Sequence, residues 1–191
     1  YDAANRVQAA VSALGYRTSY SYDAASRQIE TQDALGFRYT SVYDAVGRIL
    51  ASVDPLNNRT TNVYDLAGEQ LSVIDANGRR TSSSYDSLGR VQSEQDARGY
   101  FTTFVYDGLG QQLALVNARG YRTSNSYDAR GSLVSTQDPL ARRATFAYDP
   151  VGNQSLRTDA RGIVTTYSYD ALDRLVGAVY PDGGRTTYTF D

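Results

Sequence analysis

"YDAVGRILASVDPLNNRTTNVYD", residues 43–65, begins and ends on the same dipeptide and carries Asp-x-x-(Gly/Asn) twice, from Asp44 to Gly47 and from Asp54 to Asn57. An Asp side chain accepts a hydrogen bond from the amide two residues on, and Gly or Asn tolerates the positive φ that a tight turn demands. Between the two signals lie short runs rich in Ile, Leu, Val and Thr. Such runs match the length of an average strand and leave no room for a helix. The stretch therefore reads as turn, strand, turn, strand, and then starts again.

It restarts along the whole chain. Tyr-Asp recurs at Tyr1-Asp2, Tyr22-Asp23, Tyr43-Asp44, Tyr64-Asp65, Tyr85-Asp86, Tyr106-Asp107, Tyr127-Asp128, Tyr148-Asp149 and Tyr169-Asp170, and the last residues are Phe190-Asp191. The step is always 21 residues, giving nine units (1–21, 22–42, 43–63, 64–84, 85–105, 106–126, 127–147, 148–168 and 169–189) without insertion or deletion. A fixed period of this size marks a repeat array and leaves no place for a linker, so residues 1–191 read as one array. The fifth position of the unit is Gly47, Gly68, Gly89, Gly110, Gly131 or Gly152, with Asn5, Ser26 and Asp173 elsewhere. Asn and Asp are the natural substitutes at positive φ, and Ser26 fits least well. A second turn opens on Asp33, Asp54, Asp75, Asp96, Asp138 or Asp159, with Asn117 as a variant. Pro55, Pro139 and Pro181 fall inside it, where a preset φ suits the first central position.

Two turns and two strands per unit predict an all-β fold of about 18 antiparallel strands, a long meander coiled into a tube or shell. Alternation along "YRTSNSY" puts Tyr121, Thr123, Asn125 and Tyr127 on one side and Arg122, Ser124 and Ser126 on the other. Tyr20, Phe104, Phe146, Tyr167 and Tyr188 add to the first side, so one face is expected to be an aromatic ladder. Tyr residues of consecutive units lie two strands, roughly 9.6 Å, apart. Each ring is expected to cover a small residue of the strand between, such as Ala114 or Ser135, and to reach the next ring diagonally. Arg at the sixth position (Arg6, Arg27, Arg48, Arg90, Arg174) and at the seventeenth (Arg17, Arg38, Arg59, Arg80, Arg122, Arg143, Arg185) sits just past an Asp-initiated turn. Surface ion pairs there are expected to contribute roughly 0–1 kcal/mol each. The seventh position alternates apolar and Gln throughout: Val7, Gln28, Ile49, Gln70, Val91, Gln112, Leu133, Gln154, Leu175. Two readings stand: a 42-residue structural unit, or neutral drift or recent duplication of a double unit.

The bulk composition narrows the functional classes. All 19 basic residues are Arg against 21 acidic ones, and the net charge of −2 offers no basic face for nucleic acid. Cys, Met, His, Trp and Lys are all missing. A chain without thiols forms no disulfides and offers no sulfur to oxidants, which suits an extracellular or cell-surface setting. No apolar run approaches the roughly 18 residues of a membrane span, so no membrane insertion is expected. The chain carries no initiator Met and opens and closes on repeat boundaries, and we read it as an excerpt of a longer array.

Tyr-Asp-x-x-Gly-Arg followed by a strand, then Asp-(Ala/Pro)-x-Gly-x-x-Thr-x-Tyr-x-Tyr-Asp, resembles the rearrangement-hotspot (RHS) or YD-repeat family. "YDAVGRI" at residues 43–49 and "GRTTYTFD" at residues 184–191 are close matches. The resemblance covers the whole chain. It implies units of the kind that build the shells of bacterial toxin-encapsulating proteins and the barrel of teneurins, with killing chemistry located beyond the repeats.

Catalysis has little to work with. Without His, Cys or Lys the candidates are Asp, Glu30, Glu69, Glu94, hydroxyls and Arg. Each repeated Asp stands where a turn requires it, whereas a catalytic carboxylate is set apart by its surroundings. Calcium-binding β-rolls use paired Gly in a nonapeptide, which is absent, so no metal or other cofactor is expected. The Tyr-Asp and Gly positions named above are therefore assigned as structural landmarks rather than as catalytic residues. The array is expected to be a non-enzymatic extracellular wall. An unvarying repeat favours a fibre or tube, an RHS-type shell around a toxin ranks second, and a carbohydrate-binding surface third. The expected partners are neighbouring repeats of the same longer chain and other copies in a filament, with carbohydrate as the further partner weighed.

Overall fold

The computed structural model describes all 191 residues, Tyr1 to Asp191. It contains strands and turns and no helix, and so no helix long and apolar enough to cross a membrane. The chain divides into two compact units, residues 1–99 and 100–191. The first holds β1 (Ala9–Val11), β2 (Arg17–Tyr22), β3 (Gln28–Gln32), β4 (Arg38–Tyr43), β5 (Ile49–Val53), β6 (Arg59–Tyr64), β7 (Gln70–Ile74), β8 (Arg80–Tyr85) and β9 (Val91–Gln95). The second holds β10 (Phe101–Tyr106), β11 (Gln112–Val116), β12 (Arg122–Tyr127), β13 (Leu133–Gln137), β14 (Arg143–Tyr148), β15 (Gln154–Thr158), β16 (Val164–Tyr169), β17 (Leu175–Val179) and β18 (Arg185–Thr187). The expected all-β meander of 18 strands is what the chain forms: within each unit every strand pairs antiparallel with its neighbour in sequence.

The turns follow the chemistry of their residues. Gly47 and Gly68 have φ of 91° and 96°, and Asn5, Ser26 and Asp173, which replace Gly at that position, are also left-handed, at 60°, 64° and 60°. The Gly47 amide donates to the Asp44 carbonyl and the Asp44 amide to the Arg48 carbonyl, at 3.2 and 2.9 Å. This is a tight turn closed by a residue in the left-handed region, the common three-residue hairpin loop. The second turns close alike, at Gly36 with φ 87° and at Asn57 with φ 62°.

Each passage from a six-residue strand to the next five-residue strand contains an irregularity. Val42 faces Ala51, but Tyr43 faces Ile49, so Leu50 is the extra residue of a bulge. The same shift recurs before Tyr22, Tyr64, Tyr85, Tyr127, Tyr148 and Tyr169. A bulge bends the strand and re-aims the side chain beside it, here the repeat's Tyr.

Within each unit only strands adjacent in sequence touch, so each unit is a single layer. Burial is correspondingly sparse and concentrates at the ninth position: Ala51, Ala114, Ser72 and Ser135 are buried, as is Ala178. At four of the ninth positions the cross-strand partners are matched in polarity. Ala51 faces Val42 and Ala114 faces Val105, whereas Ser93 and Ser135 face Ser84 and Ser126 with hydroxyls 2.7 and 2.6 Å apart. Ser72 breaks the match: it faces Val63, and its buried Oγ has no hydrogen-bond partner.

Candidate functional site

The chemistry of the chain is concentrated at the Tyr-Asp corner, where one unit is fastened to the next. At Asp44, Oδ1 accepts from the Val46 and Arg48 amides at 3.0 and 2.9 Å, which fixes the turn. That leaves Oδ2 free for the Arg48 side chain, whose Nε donates to it at 2.6 Å. Arg48 then extends away from its own unit. Its Nη1 donates to the Asp65 carbonyl at 3.0 Å, and its guanidinium lies over the Tyr64 ring, 4.7 Å from the centroid. One Arg thus spans two consecutive Tyr-Asp corners by a charge-assisted hydrogen bond, a carbonyl contact and a cation–π contact.

The clasp is repeated. Arg6 binds Asp2 and reaches the Asp23 carbonyl at 3.0 Å over Tyr22, and Arg27 binds Asp23 and reaches the Asp44 carbonyl at 2.7 Å over Tyr43. Arg90 and Arg174 pair with Asp86 and Asp170, and Arg174 lies over Phe190 at 4.5 Å. Where the sixth position is not Arg, other side chains make the crossing. Arg130 donates to the Pro150 carbonyl at 2.8 Å where the sixth residue is Ser132, and Asn153 donates to Asp173 Oδ1 at 2.9 Å.

The second fastening is the Tyr hydroxyl. The ladder between β11 and β12 runs from Val116 to Ala114, and the Gln112 carbonyl beyond it accepts from the Tyr127 hydroxyl at 3.1 Å. Tyr22, Tyr43, Tyr64, Tyr85, Tyr148 and Tyr169 reach the carbonyls of Val7, Gln28, Ile49, Gln70, Leu133 and Gln154 in the same way, at 2.9–3.1 Å. The acceptor is always the backbone of the seventh position, so the bond is indifferent to the apolar and Gln alternation there.

The landmark residues occupy equivalent places. Asp2, Asp23, Asp65, Asp86, Asp107, Asp128, Asp149 and Asp170 each accept backbone amides of their own turn, and Gly89, Gly110, Gly131 and Gly152 take positive φ. Several of these carboxylates are consequently held in their charged form. The Arg6 side chain and amide keep Asp2 below the ordinary carboxylate range, the Arg27 amide does the same for Asp23, and the Arg174 amide for Asp170. Burial pushes Asp44 upward, and the Arg48 side chain and the turn amides outweigh it. No group of three acidic, His or Cys side chains is placed to hold a metal ion.

Two features go beyond the sequence expectations. An Arg lies over the ring of the following unit at Tyr22, Tyr43, Tyr64 and Phe190. The sixth-position Arg also forms more than a local ion pair, since its second partner is a main-chain carbonyl 17 residues on, which no side-chain pattern announces. Its spacing to the next Tyr-Asp is the one signal in the sequence that points to it. The seventeenth-position Arg behaves differently: Arg38 pairs with Glu30 at 3.1 Å and Arg143 donates to Ser135 Oγ at 3.1 Å, both within the sheet face.

Comparison with known proteins agrees with this geometry. In the solved structure of TcdB2-TccC3-TEV, a segment making up 11% of that chain matches 92% of this one, with a TM-score of 0.71 and 21% identity. TcdB2-TccC3 without its hypervariable C-terminal region matches 96% of this chain with 14% of its own, at a TM-score of 0.51 and 18% identity. A chain of the Photorhabdus luminescens Tc holotoxin pore matches 92% with 13% of its own, at the same TM-score and identity. The chain therefore corresponds to about a tenth of the length of these proteins, and at such identities the likeness is one of fold. No curated protein sequence matches it. The RHS Repeat family profile matches residues 1–38, 43–80, 64–100, 85–123, 127–162 and 148–187, so that nearly every residue falls within a recognised copy: the chain belongs to the RHS repeat family.

Proposed function

We propose that the chain is a non-catalytic wall segment of an RHS-type shell, secreted or displayed on the surface of a bacterium, that encloses a polypeptide cargo. The observation that carries this reading is the fold likeness over 92% of the chain to a segment of a Tc toxin protein. The clasp supports it. Each carboxylate in the Tyr-Asp corners is committed to turn amides, and most of these corners are tied to the next by a side chain, an arrangement that gives mechanical continuity and leaves no distinct reactive group.

A fibre or tube is the second reading, favoured by the unvarying 21-residue step, which applies one operation over and over. Electron microscopy of the full natural protein separates the two. Closed hollow particles whose contents resist added protease are expected. Filaments, or particles that protect no polypeptide, overturn the shell.

A further inference from the structure

The sixth position is Arg in each of the first three units and Glu in the fourth, and Glu69 stands where Arg6, Arg27 and Arg48 form the clasp. Its carboxylate reaches the next corner as they do: Glu69 Oε1 lies 2.9 Å from where a Cβ on Gly89 would sit. The crossing carries the opposite charge. Instead of a guanidinium between two carboxylate corners, a carboxylate stands there, and the charges of Asp65 and Asp86 both act on it.

The groups packed around Glu69 offer no free counter-charge. On its own corner is Asp65, whose Oδ1 holds the Glu69 amide at 2.9 Å. On the following corner are Asp86 and Arg90, joined at 2.7 Å. From the preceding unit comes Arg48, already bound to Asp44 and to the Asp65 carbonyl. On β8, Tyr85 has its hydroxyl committed to the Gln70 carbonyl at 3.0 Å. A neutral Glu69 carboxyl has a use for its proton, since it can donate to Asp65 in a carboxyl–carboxylate hydrogen bond. A charged one meets two like charges.

We propose that the junction between the fourth and fifth repeats is a pH-sensitive seam, closed when Glu69 carries a proton and loosened when it does not. Burial, the charge of Asp65 and then that of Asp86 all raise the proton affinity of Glu69 above that of an ordinary glutamate. The sign follows. An acid whose folded-state pKa is raised costs stability above that value, and the cost is relieved as pH falls through it. Every Arg-clasped junction behaves in the opposite sense, because its Asp is held low and the clasp weakens in acid. The seam is thus a weak point at neutral pH within a wall whose other fastenings are strongest there. This holds whether the wall belongs to a shell or to a fibre.

Hydrogen exchange on the intact chain tests the seam by comparing the Gly89 amide with the Gly47 and Gly68 amides, which make the same turn bond under an Arg clasp. At pH 7, Gly89 is expected to be the less protected, and the gap is expected to close as pH falls through the raised folded-state value of Glu69. Glu69→Gln and Glu69→Arg should close it at pH 7. Equal protection of the three glycines at pH 7, or a gap that does not change with pH, overturns the proposal. An independent readout needs no variant: the Glu69 side-chain carboxyl, followed by NMR, should titrate above the ordinary glutamate value. A midpoint at or below that value rules the seam out.

Discussion

At the scale of single residues, the ninth position shows how narrowly the layer is matched. Val opposite Ala and Ser opposite Ser each satisfy their partner, but Ser72 faces Val63 and keeps a buried hydroxyl without a bond. A buried unpaired polar group costs about 1 kcal/mol or more, so Ser72→Ala, which copies Ala51 and Ala114, should raise stability by about that much. Urea unfolding checks it, and an unchanged or lowered midpoint would show that the hydroxyl finds a partner in solution. Ser135→Ala is the contrasting case, because it strips the partner from Ser126 and from Arg143 and should destabilise. Sequence alone shows that the column is mostly small, with Glu30 and Leu156 as exceptions. It does not show which small residue faces which, because facing depends on a bulge whose position is set three-dimensionally at the Tyr.

At the scale of the element, the hairpin was legible because each of its parts is local. Asp binds amides two and four residues on, Gly takes the left-handed φ, and the strands are what remains between turns. The clasp was only half legible. The pairing of Asp44 with Arg48 lies within one turn and shows in the sequence, whereas the reach of Arg48 to the Asp65 carbonyl crosses two strands and ends on a main-chain atom. Two donors of one planar fork are engaged there, and a Lys ammonium cannot reproduce that geometry. Arg27→Lys should therefore lower the unfolding midpoint more than Arg59→Lys, whose side chain is exposed and outside the clasp. Equal effects would reduce the clasp to an ordinary surface ion pair. The pH response follows from the same carboxylates. Asp2, Asp23, Asp128 and Asp170 are held below the ordinary range, so their contribution is complete above about pH 4 and is lost as pH falls through their lower folded values. Melting temperature is expected to stay level from pH 7 to about 4 and to drop steeply below, as followed by circular dichroism.

At the scale of the whole chain, stability is a sum over neighbours rather than the property of a core. Within each unit a strand touches only the strands next to it in sequence, and few side chains are fully buried. The two strands of three residues, Ala9–Val11 and Arg185–Thr187, pair with β2 and β17 respectively and are the first and last strands of residues 1–191. Their amides should exchange fastest among strand amides, with protection rising over the first one or two repeats inward. Uniform protection from end to end would point to an all-or-none domain instead.

The seven Tyr hydroxyls that stitch a corner to its predecessor all terminate on a peptide oxygen, as do the outer arms of Arg6, Arg27 and Arg48. A main-chain oxygen is supplied by whatever amino acid occupies the slot. At these main-chain fastenings successive modules are consequently interchangeable: a copy can be gained, dropped or exchanged by recombination without altering the acceptor that its neighbour offers.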